Sequence, residues 1–182
     1  MSGTIHVIAL LEYYAAGKRD FQGAHLRAID LRQARLKGII LKSANLCAVN
    51  LFEADLTAAD LRAANLSQAH LQKANLTEAN LEGANLRKAD IREAKLHGTK
   101  LRGADLTAVN LLSADLRAAD LREVILCGAD LMYTSFYKTD LRGADFRGAD
   151  LFQVHLKGAY FDEETQFSPG FNPLDLEMQY LK

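Results

Sequence analysis

A chain of 182 residues, 49% apolar and 25% charged, has the composition of one ordinary globular domain. Its formal net charge of −1 offers neither the basic excess that phosphate binding requires nor the acidic excess that imitating a phosphate backbone requires, which weighs against both nucleic-acid roles. No segment approaches the roughly 18 apolar residues of a membrane span, so the expected location is the cytoplasm, with no membrane partner.

The first element in chain order is an N-terminal cap over residues 1–18. The apolar stretch IHVIALL has no basic leader, contains His6 and is followed by no small-residue cleavage site, so it does not read as a signal peptide. Residues 4–16 are predicted to form a short helix that presents Ile5, Ile8 and Leu11, with Tyr14 beside them. Gly17 stands where that helix ends.

A repeat then occupies residues 19–163. Every fifth residue from Phe21 to Phe161 is Leu, Phe or Ile, without one insertion. Two residues before each centre the side chain is most often Ala, and just before the centre it is most often Asp or Asn. A helix turns about 100° per residue, so a five-residue period smears its apolar mark around the cylinder. A flat strand alternates faces, so an odd period sends successive centres to opposite sides. What remains is a chain that bends once in each pentad and winds as a coil with Leu and Ala inside. Asp, Asn and Gly suit such bends, because Asx side chains bond nearby backbone groups and Gly tolerates positive φ.

The number of pentads per coil follows from the residue after each centre, which is mostly Arg, Lys, Thr or Gln. Phe52, Leu112, Met132 and Phe152 are the large apolar occupants there, and all four share one remainder on division by 20. Four pentads per coil are therefore predicted, giving about seven coils stacked at roughly 4.8 Å. After Phe161 the rhythm stops, Pro169 and Pro173 appear, and residues 164–182 are predicted as a C-terminal capping tail that offers Leu174, Leu176, Met178 and Leu181. It either covers its own last coil or docks on a second copy, which would make a homodimer through an end or tail.

The A(D/N)LXX units, as in ADLTAADLRAANL, resemble the pentapeptide repeat family, and the lead-in YYAAGKRDFQGAHL and exit AYFDEETQFSPGFNP are similar to the flanks of cyanobacterial members. The resemblance implies an all-β solenoid, a right-handed quadrilateral β-helix with the centre and the preceding small residue stacked inside. It also implies an alternative function, since some members resemble duplex DNA and bind type II topoisomerases such as DNA gyrase.

Catalytic and metal-binding patterns are not found. His25, His70, His97 and His155 fall on different pentad positions and coils, so no pair has metal-ligand spacing. Cys47 and Cys127 share a face but lie four coils apart, about 19 Å, which is beyond disulfide reach. No serine has a nucleophile-elbow context, and no Gly-rich phosphate loop interrupts the register. The chain is expected to be no enzyme and to use no cofactor or metal.

Two outward ladders stand out. Leu112, Met132 and Phe152 occupy consecutive coils of one face, Phe52 lies further along it beyond Gln72 and Arg92, and Tyr133 and Tyr137 are near its C-terminal half. This stripe either stacks for local stability or meets a partner. A second face carries Lys42, Arg62, Arg102, Arg122 and Arg142, with Asp60, Asp120 and Asp140 two residues away and Glu82 interrupting it, a pattern that reads as a neutralised solvent face. The leading expectation is a rigid scaffold for a protein partner of unknown identity, without direct nucleic-acid binding.

Overall fold

The structure, a computed structural model, describes residues 6–182. Parallel bridges join each residue before a centre to the one 20 positions on: Asp20 to Ile40, Asn75 to Lys95, and Asp140 to Tyr160. Four pentads therefore make one coil, and the large outward apolar residues had marked that spacing correctly. The centres are buried along the winding except Leu151, which is partly buried, and so are most of the Ala, Val or Thr residues two positions before them, with Ile29, Ala34 and Ala149 only partly covered. Thr99, Thr134 and Thr139, which replace Ala inside, each donate a hydroxyl hydrogen bond to a carbonyl one coil back, those of Leu76, Leu111 and Leu116. Their hydroxyls are thus buried without being left unpaired.

An account of backbone donors explains why the period is five. Around Leu76, the centre's N–H reaches Lys95 O on the next coil at 2.7 Å, and Glu78 N–H reaches His97 O at 3.0 Å. Ala79 N–H closes a turn onto Leu76 O at 2.9 Å, and Asn75 N–H reaches back to Ala54 O at 2.9 Å. The fifth donor, Thr77 N–H, has no backbone partner and is accepted by Asn75 Oδ1 at 3.1 Å. The Asx residue before each centre is therefore a ladder residue whose side chain bonds the turn that follows. Where the residue before a centre is neither Asp nor Asn, as at His25, Arg35, Ile40, His70, Lys95, Lys100 and Ile125, that acceptor is missing.

Each turn places its third residue at positive φ, the position that type II turns reserve. Gly83 supplies it at φ 63 with open space around it. Ala58 and Glu78 nevertheless hold the same conformation at φ 55 and 58, so most corners accept ordinary residues.

The N-terminal helix α1 spans Val7–Ala15. Its predicted start at residue 4, and Ile5, lie outside the described residues. The predicted contact face is corrected. Leu10 is fully buried, with Val7 and Tyr14 packed on the core beside it, whereas Ile8 and Leu11 are exposed. Tyr14 donates its hydroxyl to Lys37 O at 2.7 Å, and the Arg19 guanidinium lies 3.9 Å from the Tyr14 ring centre. VIALL is apolar over most of its circumference, so which side turns inward depends on how the chain enters the first coil through Gly17, at φ 95.

At the other end the winding outlasts the pentad rhythm by one corner. Gln166 bridges to Asp145, 21 residues back, and Phe167 stacks on Phe146 with ring centres 5.3 Å apart. Beyond it a short 3-10 helix, Pro173–Leu176, is capped by Asn172, and strand β1 (Tyr160–Phe161) pairs in parallel with β2 (Gln179–Tyr180). The tail thus lies on the last coil of its own chain. Met178 is buried and Leu176 packs on the core, while Leu174 and Leu181 remain exposed.

Candidate partner-binding face

Because the coils are filled inside mainly by Leu and Ala, chemistry that differs from coil to coil sits chiefly on the outer ladders. Ser113 N–H bonds Met132 O at 3.0 Å and Tyr133 N–H bonds Phe152 O at 3.3 Å, so Leu112, Met132 and Phe152 occupy neighbouring rungs. Leu112 and Met132 are half-buried and Phe152 is 56% exposed. Tyr133 joins them, its ring edge-on to Phe152 at 6.2 Å between centres.

Phe52 and Tyr137 lie outside the three consecutive rungs, where the spacing puts them. Phe52 stands three coils away, half-buried. Tyr137 belongs to the next pentad, where the Lys138 ammonium lies 5.2 Å from its ring centre.

The arginines of the basic ladder are neutralised pair by pair, while Lys42 has no ion pair among the described residues. Arg62, Arg122 and Arg142 bond Asp60, Asp120 and Asp140, each with an N to O distance of 2.6 Å, and Arg102 reaches Glu123 at 2.7 Å. The guanidinium hydrogen bonds from Arg62 and Arg122 hold the Asp60 and Asp120 carboxyls below the usual range. The same pairing occurs off this face. Arg147 takes Asp145 down to about 2, and Arg117 lowers Asp115.

Asp-Leu-Arg is thus a self-neutralising unit. On the apolar stripe the Arg is replaced, giving Asp130-Leu131-Met132 and Asp150-Leu151-Phe152. Asp130 and Asp150 accept only the backbone N–H of Met132 and Phe152, at 3.2 and 3.0 Å, and form no ion pair among the described residues. In the sequence the apolar residues stand out and the carboxylates they strand do not. The difference between DLR and DLM or DLF was the available signal.

The cysteines are far apart and free. Cys47 is buried and its sulfur accepts from Arg27 Nη1 at 2.8 Å. Burial, followed by the nearby Asp145, raises the Cys127 thiol above its ordinary value. Among the described residues no group of three or more His, Cys, Asp or Glu is arranged to hold a metal ion. No described helix is long and apolar enough to cross a membrane.

This architecture defines a class: an all-β solenoid of five-residue units, filled inside mainly by Leu and Ala and individual chiefly on its outer ladders. The chain belongs to the pentapeptide repeat family, whose model, pentapeptide repeats, matches residues 20–57, 29–68, 50–87, 69–107 and 110–148. Members of the family fold as right-handed quadrilateral β-helices.

Among solved structures it is similar to HetL, a pentapeptide repeat protein involved in heterocyst differentiation regulation from the cyanobacterium Nostoc sp. strain PCC 7120. The identity is 32% over 88% of this chain and 79% of that one, with a TM-score of 0.66. QnrB1, a plasmid-mediated fluoroquinolone resistance protein, shares the fold at 14% identity and a TM-score of 0.61, over 87% of this chain and 90% of its own. Among curated proteins none matches the sequence.

Proposed function

We propose that the protein is a non-enzymatic, rigid scaffold of about seven coils that binds another protein through its outer ladders, with α1 and the tail acting as end caps. The observation that carries this reading is the stripe of Leu112, Met132 and Phe152, an apolar surface held on adjacent rungs of a fixed coil. A surface already ordered before association loses little conformational entropy on binding. HetL, to which the chain is similar, is involved in heterocyst differentiation regulation, and a regulatory role is compatible with this reading.

The alternative, a duplex-DNA mimic acting on a type II topoisomerase, draws only on the fold shared with QnrB1. Mimicry needs a continuous acidic face, and the ladder of Asp60, Asp120 and Asp140 is paired with arginine.

The test is a pull-down from a lysate of the organism that makes the protein, comparing wild type with a Leu112→Ser, Met132→Ser, Phe152→Ser variant of unchanged size and circular dichroism. A protein captured only by the wild type supports recognition through the stripe. Identical captures would reduce the stripe to internal stacking.

A further inference from the structure

Resting on the reading of the stripe as a binding surface, we propose that its partner is a basic amphipathic helix of another protein, with apolar side chains on Leu112, Met132 and Phe152 and Lys or Arg beside Asp130 and Asp150. The argument starts from an exception. Where Asp lies two residues before an Arg on this protein, as at 30, 60, 90, 115, 120, 140 and 145, that Arg pairs with it. Only the two carboxylates flanking the apolar stripe have Met or Phe in place of that Arg. Each accepts a single backbone hydrogen bond, which leaves most of its acceptor capacity free for a cation.

The neighbouring cations are already engaged. Arg92, on the stripe's own ladder and within electrostatic reach of Asp130, is paired with Asp90; further off, Arg147 is paired with Asp145, Arg117 with Asp115, and Lys157 with Glu177, while Lys138 lies over Tyr137. The surface is therefore apolar along one line and anionic along the next, which suits a partner that is apolar along one line and cationic along the other. The acidic rail also sets this face against an anionic lipid surface.

Spacing selects the helix. Two rungs at about 4.8 Å place Leu112 and Phe152 roughly 10 Å apart. Helix positions i and i+7 are separated by about 10.5 Å, with i+3 or i+4 between them. An extended segment repeats its side chains on one face every 6.5 to 7 Å or so, and falls out of step with the rungs.

The experiment uses the full chain as bait for a phage-displayed library of random dodecapeptides, counter-selected on the Leu112→Ser, Met132→Ser, Phe152→Ser variant. Retained peptides are then synthesised with a fluorophore and titrated by anisotropy. The expected result is a set with apolar residues at i, i+3 or i+4 and i+7 and a Lys or Arg flank. Their affinity for an Asp130→Asn, Asp150→Asn variant should fall roughly three- to tenfold, and the difference should shrink at high salt. Peptides lacking basic residues, or bound equally by the Asn variant, would overturn this proposal while leaving the stripe a binding surface. Failure to retain any peptide in preference to the triple-Ser variant would count against both. A wild-type dimer in sedimentation that the triple-Ser variant abolishes would identify the occupant as a second copy and overturn the helix.

Discussion

Asn75 shows in one side chain why a five-residue corner closes. Four of the five backbone donors in its pentad find carbonyls, and Asn75 Oδ1 accepts the fifth from Thr77 N–H, together with the Thr77 hydroxyl at 2.7 Å. Replacing Asn75 by Ala should therefore lower stability by about 1 kcal/mol, read from the urea midpoint, while Asn75→Asp should stay close to wild type. An Ala variant with an unshifted midpoint would mean that water serves Thr77 N–H equally well. The neighbouring rung, where Lys95 stands, shows that a single corner survives without the bond.

At the scale of elements, the winding has two irregular ends, and each buries a small number of side chains. Helix α1 has one fully buried residue, Leu10, and a Tyr14 hydroxyl tied to the first coil at Lys37. Leu10→Ala should cost about 2 to 4 kcal/mol in thermal or urea unfolding, and Ile8→Ala, on the exposed side, less than about 0.5. Equal losses would mean that the helix does not dock by the Leu10 face. At the far end Phe146, Phe167 and Phe171 form a stack, with Phe161 edge-on between Phe167 and Tyr180. Aromatic rings pack together where the pentad register gives way, and β2 supplies the last coil with a partner for its carbonyls and N–H groups.

At the scale of the whole molecule, neighbouring coils contact each other and little else, so stability is a sum of similar increments. Acid should act on many of them together. Arg hydrogen bonds depress Asp60, Asp115, Asp120 and Asp145 in the folded chain, Asp145 to about 2. A depressed carboxylate contributes its stability above its unfolded value of about 4, and the contribution fades as pH falls toward the folded value. The melting temperature should therefore hold from neutral pH to about 4 and decline between about 4 and 2. Arg147→Gln should make that decline shallower; an identical acid limb would show that the Asp145 pair contributes nothing. Because the guanidinium sides of these pairs are partly exposed, salt should weaken the effect.

The period of the sequence determined the coil. Burial of one face is compulsory, and only a bend in each pentad keeps Leu31, Leu36 and Leu41 on the same side of the backbone. The 20-residue step was legible as well, because Leu112, Met132 and Phe152 are conspicuous on an otherwise polar ladder. Tertiary structure decided the rest. It chose Leu10 over Ile8 at the N-terminal end, carried the winding past Phe161 to Phe167 and laid the tail on its own chain. It also left Asp130 and Asp150 as the unpaired neighbours of the stripe. Periodic burial is a local property repeated along the chain, whereas the docking of an end or the pairing of a charge depends on which side chains arrive at one place.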